Sequence, residues 1–223
     1  MQPTTSIHAE RLRRLRQAGI YLVTSQTLSA GRTTLEITQA ALAGGIHLIQ
    51  LREKELPTRE FFRLAEQMRQ LTADAGALLI INDRLDIALA VDADGVHLGQ
   101  EDLPIAAARR LAPDLIIGAS THSIAEAQQA EKDGASYINI GPLFPTQTKQ
   151  WDDEFLGLEG LRRISATVSL PFTVMGGIKP NHIPDLRRAG AQIIAVVTAI
   201  TAAPDPECAA RELLALIHNS TAT

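Results

Sequence analysis

The stretch from Gly141 to Lys149 reads Gly-Pro-Leu-Phe-Pro-Thr-Gln-Thr-Lys. It follows an apolar run, Tyr137 to Ile140, that reads as a buried strand. Thr146, Gln147, Thr148 and Lys149 therefore sit where a strand gives way to a loop. Two hydroxyls, several free backbone N–H groups and one ammonium suit a phosphate or diphosphate. Two prolines stiffen the approach and lower the entropy cost of holding the loop ready. Alone, the stretch would pass equally well for a solvated turn, because it lacks the Gly-x-x-x-x-Gly-Lys pattern.

Similar polar clusters recur after other short apolar runs. Gln50-Leu51-Arg52-Glu53-Lys54 closes the run that begins at His47, and Asn82-Asp83-Arg84 follows Leu78 to Ile81. His97 to Asp102 overlaps the run from Gly95 to Leu98, and Ser120-Thr121-His122 follows Leu115 to Ala119. Gly176-Gly177 follows Phe172 to Met175, and Thr198 closes Ile193 to Val197. Asp83 and Asp102 would face one another across neighbouring loops. Two carboxylates beside a basic cluster suit Mg²⁺ completed by ligand phosphate oxygens. Taken singly, either aspartate would serve as well as a helix cap or a partner for Arg84. Arg52 and Lys54 alternate on an extended segment and would point the same way. Gly176-Gly177 lets backbone N–H groups approach a phosphate at a helix N-terminus. His97, in a buried run, reads as a hydrogen-bonded structural residue, and His122 as a catalytic candidate. Trp151, within Gln150 to Phe155, reads as a lid or loop anchor.

The elements that must position these groups alternate along the chain. Apolar runs at 20–24, 47–51, 78–81, 95–98, 115–119, 137–140, 172–175 and 193–197 alternate with helical patterns at 34–43, 58–75, 85–90, 104–111, 123–132, 158–165, 181–189 and 206–217. Continuous apolar runs are what parallel strands buried on both faces require. Eight such units in 223 residues predict one (β/α)8 barrel over 1–223, with a helical extension over 1–18 and a frayed tail over 218–223. An open doubly wound sheet is the runner-up, but would usually need fewer units. In a barrel the polar clusters all fall at the strand C-termini, the active end of the fold.

Composition narrows the rest. At 45% hydrophobic and 21% charged residues the chain reads as globular, and a net charge of −4 disfavours a nucleic-acid surface. One cysteine, Cys208, excludes an intrachain disulfide framework. No apolar run is long enough to span a membrane, and the arginine-rich N-terminus lacks the apolar centre of a secretory signal. The expectation is a cytoplasmic protein with small-molecule substrates and no nucleic-acid or membrane partner; homo-oligomer formation stays open.

With these motifs in order, from about Tyr21 to Ile217, the chain resembles the thiamine-phosphate synthases. That resemblance implies Mg²⁺-dependent coupling of an aminopyrimidine methyl diphosphate to a thiazole phosphate, giving thiamine monophosphate and diphosphate. It implies that Gln50, Leu51, Arg52, Glu53, Lys54, Asn82, Ser120 and Lys149 meet the pyrimidine diphosphate. Thr146, Gln147, Thr148, Gly177, Val197 and Thr198 would meet the thiazole phosphate, and Asp83 and Asp102 one Mg²⁺. Arg52, Ser120 and Lys149 would carry the chemistry. The chain departs from the family's usual serine at Thr198, and its loop from Gln150 to Glu154 is unusually acidic and aromatic. Three rivals remain: a thiazole tautomerase of the same fold using His122, a non-catalytic thiamine-pathway binding protein, and a generic phosphate-binding barrel isomerase or aldolase.

Overall fold

The computed structural model describes residues 6–146 and 154–219. Eight parallel strands close on themselves in sequence order, β1 pairing with both β2 and β8. They are β1 Ile20–Val23, β2 Leu48–Leu51, β3 Leu78–Asn82, β4 Gly95–Leu98, β5 Ile116–Thr121, β6 Tyr137–Ile140, β7 Phe172–Val174 and β8 Ile193–Val196. The helices are α1 Ile7–Arg16, α2 Thr34–Ala43, α3 Thr58–Asp74, α4 Leu85–Ala90, α5 Ile105–Leu111, α6 Ile124–Lys132, α7 Gly157–Ser165, α8 Ile183–Arg188, α9 Thr198–Thr201 and α10 Pro206–Asn219.

Strand alternation divides the core in two. Ile20, Leu22, Ile49, Leu51, Leu79 and Ile81 face the helices, whereas Tyr21, Val23, Leu48, Leu78, Ile80 and Tyr137 fill the barrel interior. Local signals set the helix starts. Thr33 and Glu36 form a reciprocal capping box at α2, and Ser123 accepts from Glu126 N at α6. Thr58 is the first residue of α3, and Pro57 holds the cap position.

The extension at the N-terminus forms α1 and crosses the N-terminal end of the barrel. Leu15 is fully buried against the interior cluster. Arg11 Nη1 donates to Asp114 O at 3.0 Å, and Arg14 Nη2 to Gly76 O at 2.8 Å. Both carbonyls lie just ahead of strands, so the polar anchors ring the end opposite the catalytic one.

Three boundaries differ from the sequence reading in ways that matter. β5 runs on to Thr121, because the Thr121 hydroxyl donates to Asn139 O and keeps the ladder going. Ser120 therefore lies in the sheet, opposite Asn139. β8 ends at Val196, and Thr198 opens the short helix α9 rather than closing a strand. α10 continues through His218 to Asn219, and the rest of the tail expected to fray, 220–223, lies outside the described residues.

Candidate active site

The C-terminal ends of β2, β3 and β4 place a charged cluster at the barrel mouth. Asp83 follows β3 directly, and its N–H donates to His97 O at 2.8 Å, tying this loop to β4. Its backbone is left-handed, with φ 62°, a conformation that Asp tolerates better than most residues. The Asp83 and Asp102 carboxyl groups come together here, and Asp102 Oδ2 also accepts from Gly99 N at 2.7 Å. Burial, then the Asp102 hydrogen bond and charge, raise the Asp83 carboxyl above the usual carboxylate range. Lys54 and Arg52 oppose that shift, and Lys54 Nζ stands 3.6 Å from Asp83 Oδ2. Arg84 turns away and pairs with Asp86 at 2.6 Å, so the alternative ion pair with Asp83 is not formed.

Arg52 is half-buried, and burial pulls its guanidinium below the usual arginine range, partly countered by Asp83 and Glu53. Among the described residues nothing accepts a hydrogen bond from that guanidinium, while the Arg52 backbone N–H is held by Thr24 Oγ1 at 3.0 Å. A partly desolvated, unpartnered cation is poised for an anion. Two neighbours in the same motif are placed differently. Glu53 turns toward the first loop, where its oxygens accept from Gln26 N and Thr34 Oγ1. Leu51 points into the helix-facing core, so only its backbone faces any ligand. Asn82 ends β3 beside His97.

Deeper in the barrel lies a run of polar side chains whose two tyrosines, and whose connection, the sequence reading missed. Gln50 Nε2 donates to the Tyr21 hydroxyl at 2.7 Å, and that hydroxyl lies 3.0 Å from the Tyr137 hydroxyl. Tyr137 is 2.9 Å from His97 Nδ1, and His97 Nε2 is 3.0 Å from Ser120 Oγ. Burial pushes the His97 imidazole down to about 4, with Asp102 pulling the other way, so the ring is neutral at ordinary pH. His97 is thus the hydrogen-bonded interior residue expected. Tyr21 and Tyr137 read in sequence as strand apolars; only their hydroxyls, on interior-facing strand positions, could have signalled more. Asn139, also unremarked, accepts from Thr173 Oγ1 at 2.7 Å.

Across the mouth, the loops after β6 and β7 pack backbone to backbone. Leu143 N donates to Met175 O at 2.9 Å and Phe144 N to Gly176 O at 3.1 Å. Gly177 has φ 62°, and a Cβ there would overlap the Pro145 carbonyl oxygen. Phe144 stacks on His182, with ring centroids 4.2 Å apart. Thr146 is the last residue described before the gap; Gln147, Thr148, Lys149 and Trp151 lie outside the described residues. Val197 and the exposed Thr198 stand at the start of α9, beside this cradle on the next strand. Loops after the last two strands together with a short extra helix form the usual phosphate site of this fold. His122 Nδ1 contacts Gly141 O at 2.5 Å and its N–H donates to Glu126 Oε2 at 2.6 Å, so it buttresses the start of the loop after β6.

The fold and the mouth thus define a (β/α)8 barrel with charged and polar groups gathered at the C-terminal ends of its strands. The chain belongs to the thiamine monophosphate synthase family, whose model matches residues 20–200, and is accordingly an enzyme of the transferase class. It is 48% identical to the thiamine-phosphate synthase of Chloroflexus aurantiacus over 89% of this chain and 92% of that one. It is 50% identical to that of Moorella thermoacetica over 88% and 94%. Among solved structures, the thiamine phosphate pyrophosphorylase of Pyrococcus furiosus superposes with a TM-score of 0.85 at 42% identity, covering 92% of this chain and 98% of that one. A 3-hexulose-6-phosphate synthase, at 22% identity and a TM-score of 0.67, shares the fold. Among the described residues no helix is long and apolar enough to cross a membrane.

Proposed function

We propose that the chain couples an aminopyrimidine methyl diphosphate to a thiazole phosphate, releasing diphosphate and thiamine monophosphate. The observation that supports this reading best is the Asp83–Asp102 pair set beside Arg52 and Lys54 at the barrel mouth. A lone phosphate needs only cations, whereas a carboxylate pair next to cations suits a diphosphate accompanied by a divalent metal. Among the described residues no group of three or more ligating side chains exists, so this pair would share its metal with ligand oxygens. Burial first, and then the neighbouring Asp102, disfavour a charged Asp83 carboxylate, and a divalent cation would relieve both, so the donor set fits Mg²⁺. When bound, Mg²⁺ would neutralise charge on the leaving diphosphate.

The chain's own residues do the rest. Arg52 and Lys54 stabilise the diphosphate as the methylene C–O bond breaks and the electron pair leaves with oxygen. The ring amino group feeds electrons into the pyrimidine and supports the cation left behind. The thiazole nitrogen lone pair then forms the new C–N bond, with no protein nucleophile. The cradle of Gly177, Thr146 and the start of α9 would hold the thiazole phosphate so that this nitrogen, rather than water, meets the cation. From the sequence, Gln147 and Thr148 are assigned to the thiazole phosphate, Lys149 to the pyrimidine diphosphate and the loop around Trp151 to a lid.

The test is a coupling assay with both substrates and Mg²⁺, following diphosphate and thiamine phosphate. Equal amounts of both products, lost on chelation and in Asp102→Ala, are expected. Isomerisation of a thiazole precursor without coupling would move the chain to the tautomerase reading. The engagement of His122 with the Gly141 carbonyl lends that rival no support.

A further inference from the structure

The five interior side chains from Gln50 to Ser120 form one continuous hydrogen-bonded chain. A hydroxyl carries one proton and a neutral imidazole one N–H, and a buried proton left without an acceptor is costly, so with every proton placed one bond's direction sets the others. With the Gln50 amide donating to Tyr21, the Tyr21 proton must go to Tyr137 and the Tyr137 proton to His97 Nδ1. Nδ1 is then a bare acceptor, Nε2 carries the proton, and it donates to Ser120 Oγ. The hydroxyl proton of Ser120 has no place left in the chain and turns to the mouth. The reverse order would have Ser120 donate inward and present only lone pairs.

Electrostatics favours the first order. Asp102 is the charge that acts on the His97 ring, and it sits at the mouth. Ser120 lies toward the strand ends, one inward-facing position beyond Gly118, the residue paired with Tyr137. A proton on the Ser120 side of the ring is drawn toward that carboxylate, while one on the Tyr137 side is not. Gly118 keeps the chain tight, since a Cβ there would overlap the Tyr137 ring and hydroxyl.

We propose that the chain runs one way, from the Gln50 amide to the Ser120 hydroxyl, holding His97 in its Nε2–H tautomer and leaving the Ser120 proton to donate toward bound ligand. Tyr21, Tyr137 and His97 are then positioning residues. The Gln50 carbonyl oxygen is left to accept, so the site selects a ligand with an N–H facing Gln50 and an anionic or lone-pair oxygen or nitrogen facing Ser120. Only the identity of that ligand rests on the synthase reading.

Two measurements test it. Protein labelled with ¹⁵N at histidine, read at neutral pH without substrate, is expected to show His97 as a single Nε2–H tautomer, its signals identified by their loss in His97→Gln. Tyr137→Phe is expected to give mixed tautomers. An Nδ1–H tautomer in the wild type overturns the direction. In the coupling assay, Tyr137→Phe is expected to lower kcat/KM for the pyrimidine diphosphate about three- to tenfold in the wild-type background and less than about twofold in Ser120→Ala. Equal losses in both backgrounds overturn the positioning role. If the wild type does not couple the substrates, the synthase reading falls, and the tautomer decides this proposal alone.

Discussion

Asp83 and Asp102 bring their carboxyl groups together at the barrel mouth, and Asp83 does so from a left-handed backbone at φ 62°. Both features cost stability, and both sit at the ligand end of the fold, where such costs tend to gather. Burial and the Asp102 partner raise the Asp83 carboxyl. A raised carboxyl stabilises the fold below its unfolded pKa, and that contribution is lost as pH rises through the raised value. At neutral pH in a chelator, Asp83→Asn is therefore expected to melt above the wild type. Asparagine keeps the shape and tolerates positive φ. Added Mg²⁺ is expected to raise the wild-type midpoint and leave the variant unmoved, while activity in the variant drops about a hundredfold. Melting curves in chelator and in Mg²⁺, beside the coupling assay, check all three.

Gly177 carries the second expectation. Its φ of 62° and the overlap of any Cβ with the Pro145 carbonyl oxygen mean that Gly177→Ala forces the loops after β6 and β7 apart. Positive φ alone costs about 1–2 kcal/mol for an L-residue, and the clash is with backbone that cannot rotate away. The KM for the thiazole phosphate should rise at least about tenfold, with the KM for the pyrimidine diphosphate little changed. Steady-state kinetics varying each substrate separately would show it. A rise in both would mean that the two sites are not separately supported.

The barrel was legible because its signal is periodic and repeated. Each apolar run marked a strand buried on both faces, and each polar cluster then fell at a strand end. The Asp83–Asp102 meeting was legible for the same reason, since adjacent strands bring adjacent loops together. What the sequence concealed were directions within a motif. Glu53 and Arg52 are neighbours, yet Glu53 reaches back to Gln26 and Thr34 while Arg52 stays half-buried at the mouth. Tyr21 and Tyr137 lie 116 positions apart, and only barrel closure brings their hydroxyls to 3.0 Å. Thr198 followed an apolar run without a break, so the turn at Val197 that starts α9 left no local mark.

His97 sets an acid limit on this interior. Its imidazole is held down to about 4 by burial, against the pull of Asp102. For a base with a depressed pKa, the stability is present above the unfolded value, near 6.5, and is lost as pH falls toward about 4. Over that interval the wild type should lose stability with a His97 contribution approaching about 1.4 kcal/mol per pH unit. His97→Gln should flatten the slope by about one proton's worth. Urea unfolding at a series of pH values gives both slopes, and equal slopes would remove His97 from the acid response.

Asp94 closes the opposite end. Its carboxylate is nearly buried and accepts from Arg69 Nη1 at 2.7 Å, Leu79 N at 2.9 Å and Arg11 Nε at 3.3 Å. It therefore joins α1, α3 and the start of β3 at one point. Removing the carboxylate strands two guanidinium groups and a buried N–H, the kind of change that costs about 3–5 kcal/mol. Asp94→Ala should lose that much in urea unfolding. Arg11→Met removes the longest of the three Asp94 contacts and the bond to Asp114 O but keeps an apolar stem over the barrel end, so about 1–2 kcal/mol is expected. Because all of this lies at the strand N-termini, the KM for both substrates should stay within about twofold of wild type in either variant at a temperature where both are folded. A KM change with unaltered stability would mean that the N-terminal end communicates with the mouth through the barrel interior, where Leu15 packs in the same cluster as Tyr21 and Tyr137.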